Sequence, residues 1–216
     1  MPNGSAGKIL ALMSGGIDSP VASYLMAKRG AENIWLHFHS YPLVSNASIQ
    51  KVKELAERLL VFQPKLTLFS VPFQNIQIMV KTNVPAKYRI LVYRRFMLRI
   101  AEKIAQKTGC KALVTGESLG QVSSQTLENI VLIQEAVRIP IFRPLIALDK
   151  EEIIKIAKDI STYEISIRPQ EDCCTLFTPA HSTALGNLET IYNLEKTLEI
   201  EELVSSAVKE AKILKY

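Results

Sequence analysis

The chain has 216 residues, a net charge of +5 at neutral pH, 48% hydrophobic residues and 22% charged residues. That length suits one sizeable α/β domain, and that balance is globular rather than disordered or fibrous. No apolar run is long enough to cross a bilayer, and Met1 to Lys8 holds no apolar secretory core, so neither a membrane-spanning helix nor a signal peptide is expected.

Residues 1–7 read as a disordered lead. Residues 8–13 are apolar almost throughout and predict a central strand. Ser14-Gly15-Gly16-Ile17-Asp18-Ser19 follows, and then a Pro-started amphipathic stretch from Pro20 to Arg29, closed by Gly30. Strand, glycine loop and helix in that order make an anion site. Glycines allow the turn, Ser19 is the expected N-cap with Pro20 at the first helical position, and free N–H groups converge at the positive end of the helix dipole. The loop is neither G-x-x-x-x-G-K-[ST] nor G-x-G-x-x-G. An acid inside a phosphate loop makes sense once a divalent cation is included, with Asp18 holding Mg²⁺ against the phosphates.

Asn33 to His39 predicts the second strand, with His37 and His39 on one face. The residues alone leave open a zinc pair or two polar strand-end side chains, and no third ligand lies nearby in sequence. Ser45 to Phe62 has helical spacing, Lys65 to Val71 predicts a third strand, and Pro72 to Asn83 a short helix. Lys87 to Thr108 predicts a long helix closed by Gly109. Its first half carries Arg89, Arg94, Arg95 and Arg99, either as a solvated basic face or as a positive wall over phosphates.

Lys111 to Thr115 predicts strand four. A long polar loop, Gly116 to Thr126, follows where ligands bind in open α/β sheets, and Ser123 or Ser124 is the expected cap of the helix running to Val137. Pro140 to Ile146 predicts strand five, and Asp149-Lys150-Glu151-Glu152 opens a helix to Ile160. Arg168 to Pro179 reads as irregular and carries Cys173 and Cys174, whose polar, Pro-flanked setting favours a reactive thiol over packing. Asn187 to Lys215 reads as a helical tail, in one piece or two. The expected architecture is an open parallel five-stranded sheet with helices on both faces over residues 8–180, plus a C-terminal helical tail over 181–216. Three cysteines suit a reducing cytoplasm, and the basic balance permits a nucleic-acid partner without requiring one.

S-G-G-I-D-S after a buried strand resembles the loop of the PP-loop ATP pyrophosphatases, which cut ATP between its α and β phosphates. Together with H-F-H-S-Y-P, T-G-E-S-L-G-Q-V-S-S-Q-T, F-R-P-L-I-A-L-D-K-E-E-I and E-D-C-C-T-L-F-T-P, it resembles the catalytic domain of the tRNA 4-thiouridine synthetases (tRNA uracil 4-sulfurtransferases) over most of residues 7–180. The resemblance implies that Leu12, Met13, His37, Phe38, Arg94, Gly116 and Gln125 bind the nucleotide. It implies that Ser14, Gly15, Gly16, Asp18 and Ser19 cradle the β and γ phosphates. Asp18 and Lys150 match positions needed for activity, and Cys173 matches the sulfur-carrying cysteine. ATP and Mg²⁺ are the implied cofactors, and tRNA and a cysteine desulfurase the implied partners. The same pathway can feed thiamine thiazole synthesis. Nothing here matches the family's N-terminal ferredoxin-like and THUMP RNA-binding part, which is therefore expected on a separate or removed segment; a homodimer is compatible with the resemblance. Two other readings stand beside this one: another PP-loop adenylating enzyme of the 2-thiouridylase or amide synthetase type, and a non-catalytic ATP-binding module.

Overall fold

A computed structural model describes residues 1–122, 125–169, 183 and 186–216. Its described residues form a six-stranded sheet in the order β5-β4-β1-β2-β3-β6. The strands are β1 (Lys8–Leu12), β2 (Glu32–His39), β3 (Thr67–Pro72), β4 (Ala112–Val114), β5 (Ile141–Phe142) and β6 (Lys212–Lys215). The first five are mutually parallel, and β6 runs antiparallel to β3.

Alternation along the central strands sends side chains to two different layers, as a two-residue period requires. From β1 and β2, Leu10, Ile34, Leu36 and Phe38 join one core with Phe96 and Ile100 of α4 (Arg89–Thr108), Ile76 of α3 (Gln74–Asn83) and Leu132 of α5 (Leu127–Gln134). Ile191 of α8 (Leu188–Glu195) and Val204 of α9 (Ile200–Lys209) close that layer. Ile9, Ala11 and Trp35 face the other way. They pack with Val21 of α1 (Asp18–Lys28), Leu55 of α2 (Ala47–Leu59) and Ile153 of α6 (Lys150–Asp159), while a single turn, α7 (Tyr163–Ser166), follows. The fold is thus a helix–sheet–helix sandwich, and the parallel strands end together on one edge.

Several expectations change. The tail from Asn187 to Lys215 is two helices and a strand, not helix throughout, so the sheet has six strands rather than five. Residues 1–7, read as disordered, form turns, and Ala6 N–H donates to Gly30 O at 3.0 Å. Helix α1 starts at Asp18, with Ile17 at the cap position, so Ser19 lies inside the helix rather than capping it. Thr126, not Ser123 or Ser124, caps α5 by accepting from Asn129 N–H; those two serines lie outside the described residues.

Candidate active site

A cavity of about 250 Å³ opens where β1, β2 and β4 end. Leu12, Met13, His37 and Phe38 line it from the first two strands, and Thr115, Gly116 and Glu117 from the third. Ser14, Asp18 and Ser19 line it from the loop, Ile90, Arg94 and Met97 from α4, and Gln125 and Arg143 from later loops. Parallel strands place their C-terminal ends together, so residues far apart in sequence meet here.

The loop between β1 and α1 is held in shape by its own hydroxyls. Ser14 N–H donates to Ser19 Oγ at 3.1 Å, Gly16 N–H donates to Ser14 Oγ at 3.2 Å, and the two hydroxyls are 3.3 Å apart. Gly15 has φ +83°, the left-handed region that glycine enters without strain. Ile17, at the cap position of α1, makes no side-chain hydrogen bond to the helix start. The first N–H groups of a helix have no intrahelical partner, and Asp18 and Ser19 at the start of α1 line the cavity, where the positive end of the dipole favours an anion. The Gly116 backbone leans on this start: a Cβ there would lie 2.9 Å from Asp18 C and Ser19 N. Gly116 is therefore needed for loop-on-loop packing.

Asp18 and Lys150 lie 132 residues apart in sequence. Lys150 Nζ donates to Asp18 Oδ1 at 2.7 Å, and Gln121 Nε2 donates to Asp18 Oδ2 at 3.3 Å. Lys150 occupies the first position of α6, where the helix dipole disfavours a cation. A capping box, with Asp149 Oδ1 accepting from Glu152 N–H and Glu152 Oε2 accepting from Asp149 N–H, holds the helix start despite it. The Asp18 carboxylate offsets the unfavourable placement by pairing with the Lys150 ammonium.

His37 is fully partnered at its ring. Nδ1 lies 2.8 Å from Met13 O and Nε2 lies 3.3 Å from Ser48 Oγ. His39 stacks near it, ring centroids 6.5 Å apart, and its pKa falls to about 4 because burial, His37 and Lys212 each disfavour the charged ring. No group of three His, Cys, Asp or Glu side chains able to hold a metal occurs among the described residues.

The arginine cluster of α4 splits instead of forming one basic wall. Arg94 reaches the cavity and pairs with Glu117 at 3.1 Å. Arg95 is fully buried on Glu195 and Glu135, and Arg99 also pairs with Glu195, at 2.6 Å. Arg89 donates to the carbonyls of Val84 and Lys81. Two charged residues of the cavity, Glu117 and Arg143, were not singled out from sequence. Glu117 is deeply buried; burial alone would raise its pKa, but Arg94 and Arg143 and the hydrogen bonds from Arg143 and Thr115 hold it below the usual carboxylate range. The signal was an acid between Gly116 and Ser118, directly after a parallel strand, with unmatched arginines elsewhere. Cys173 and Cys174 lie outside the described residues.

The structure matches that of a 4-thiouridine synthetase–RNA complex with bound ATP, with a TM-score of 0.95 and 41% identity over 99% of this chain and 56% of the other. An NMN synthetase from Francisella tularensis, 14% identical with a TM-score of 0.59, shares the fold over 94% of this chain and 84% of its own. Proteins named "Probable tRNA sulfurtransferase" are 51% identical in Thermus thermophilus, over 100% of this chain, and 47% identical in Brevibacillus brevis, over 99% of it. The chain spans about half the length of these relatives, 53% in each case. The family model described as Thiamine biosynthesis protein (ThiI) matches residues 4–200, and the chain belongs to that family.

Proposed function

We propose that this chain is the nucleotide-activating part of a tRNA uracil sulfurtransferase that makes 4-thiouridine at position 8. The observation that carries the reading is the cavity at the ends of β1, β2 and β4, lined by Ser14, Asp18 and Ser19 around the start of α1, with Lys150 paired to Asp18. The strand ends at Leu12–Met13 and His37–Phe38 hold the adenosine, with Arg94, Gly116 and Gln125 around it. The Ser14–Ser19 loop, Gly15 and Gly16 included, offers N–H groups to the β and γ phosphates, and Lys150 supplies positive charge beside them. Asp18 fits Mg²⁺, since one carboxylate beside a phosphate site is the donor set that this cation completes with substrate oxygens and water. Bound there, Mg²⁺ would offset charge on the departing pyrophosphate.

Uracil O4 is a poor leaving group. Its attack on the α phosphate releases pyrophosphate and leaves an adenylate on O4. The terminal sulfur of a persulfide on Cys173 then attacks C4, and AMP departs with the former O4. A second thiol then breaks the remaining S–S bond and becomes part of a disulfide. A cysteine desulfurase would supply the persulfide sulfur. tRNA binding would come mainly from a ferredoxin-like and THUMP part outside this chain.

The test is mass spectrometry of tRNA incubated with the chain, ATP, Mg²⁺ and a sulfur source, with and without an RNA-binding chain, alongside pyrophosphate release. A single uridine converted to thiouridine, with pyrophosphate release that depends on tRNA, is expected. Pyrophosphate release with a small amide or acid substrate and not with tRNA would point to a synthetase instead. Cys173→Ser should abolish thiolation and leave the Kd for ATP unchanged; loss of both would make Cys173 a structural residue.

A further inference from the structure

One wall of the cavity holds a buried charge cluster drawn from three elements. Glu117 is 2% exposed. Its Oε1 lies 3.1 Å from Arg94 Nη2, and its Oε2 accepts from Arg143 Nε at 2.6 Å and from Thr115 Oγ1 at 2.9 Å. Arg143 Nη1 donates to Gln134 Oε1 at 3.1 Å. Arg143 Nη2 is buried and finds no hydrogen-bond partner among the described residues. Two guanidiniums against one carboxylate leave the cluster with a net charge of +1.

A buried donor without an acceptor costs free energy, so a cluster whose role is only to hold the fold would use that N–H internally. Here the unused donor belongs to a residue of the cavity wall. Glu117 also follows Gly116 directly, and Gly116 packs on the Asp18–Ser19 backbone. The spare positive charge therefore sits beside the phosphate loop, and the ligand atom it suits is an ionised oxygen.

We propose that Arg143 is a nucleotide-binding residue whose Nη2 donates to an oxygen of the phosphate nearest the nucleoside, and that Glu117 is the positioning residue that aims Arg143 and Arg94 into the cavity. The inference rests on the nucleotide reading given above and adds a residue to it. Arg143 then helps hold the phosphorus at which the uracil oxygen attacks, and its charge offsets the charge developing there.

The test compares binding of ATP, AMP and adenosine to the full chain by calorimetry. Arg143→Gln should raise the Kd for ATP and AMP about tenfold or more, the loss of one charge-assisted hydrogen bond, and leave adenosine within about twofold. Glu117→Gln should act in the same direction, and Glu117→Asp should restore part of the affinity. In the double variant the two losses should sum to less than the separate effects, because Glu117 acts through Arg143. Unchanged binding of ATP and AMP by Arg143→Gln overturns the inference. So does an equal loss for adenosine, which would mark a collapsed wall. If the unsubstituted chain binds no ATP, the nucleotide reading itself fails and takes this inference with it.

Discussion

Asp18, Gly116 and Lys150 owe their meeting to geometry that no local pattern contains. The Ser14–Ser19 stretch was legible because glycines and hydroxyls between an apolar strand and a Pro-started helix have few other uses. Lys150 could be picked only through a family resemblance, since a lysine in the first turn of a helix reads as a small fault. Its partner is set by the sheet, which brings α1 and α6 to one edge. The pair is partly exposed, so Lys150→Ala should change stability little while lowering pyrophosphate release about a hundredfold, as loss of a charge at a reacting phosphate does. Single-turnover kinetics beside a thermal melt separates the two effects. For Gly116→Ala, an added Cβ would press on backbone, not on a flexible side chain, so the loop must shift. A rise of about tenfold in the Kd for ATP is expected. An unchanged Kd would show that the loop tolerates the displacement.

Among the elements, α4 shows why sequence reading stopped where it did. Its apolar stripe fixed the buried face, but four arginines within eleven positions gave no indication of which would be paired. The answer lies in acids far along the chain. Glu195 of α8 receives Arg95 and Arg99, and Tyr192 and Arg95 both bond Glu135. Burial would raise the Glu195 pKa, but hydrogen bonds from Arg99 and Arg95 outweigh it and hold the carboxylate below its usual range. Glu195→Gln would leave Arg95 buried with too little countercharge, at a cost of about 3 kcal/mol. That corresponds to a fall in Tm of roughly 6–12 °C for a chain of this size, checked by calorimetry. Strand β6 was missed for a related reason. Lys-Ile-Leu-Lys is too short to show a period of its own, and the exposed edge of β3 decides its state. Reciprocal hydrogen bonds between Leu66 and Tyr216 close that edge.

The flanks of the segment containing Cys173 are also fixed by distant residues. Lys51, buried on α2, donates to the carbonyls of Ser166 and Arg168. Burial, then the nearby Arg168 charge, lowers its pKa. On the other side, Thr183 N–H donates to Lys87 O, and Asn129 bonds both Thr183 O and Gly186 N–H.

At the scale of the whole molecule, the alternation of strands and helices made the sandwich legible, because a βαβ pattern with fully apolar strands admits few other arrangements. The closed polar cluster at the sheet's ends was not legible, since it depends on which strands become neighbours. One consequence for the whole fold is a pH dependence. In the unfolded chain His39 takes up a proton below about pH 6.5, while in the folded protein it resists until about pH 4. The unfolded state therefore binds more protons across that window, and folding stability falls as pH drops through it. Denaturant melts between pH 7 and 4 should show this slope, and His39→Gln should flatten it. An equal slope in the variant would assign the effect to other groups.

The central claim is that the triphosphate of ATP sits on the Ser14–Ser19 loop with its base among the strand ends. A crystal structure of the chain with an unhydrolysable ATP analogue and Mg²⁺ tests it most directly. The account predicts phosphate oxygens on the amides at the start of α1, a cation on Asp18, and adenine between Met13 and Phe38. A triphosphate seated anywhere else, with that loop unchanged, would contradict it.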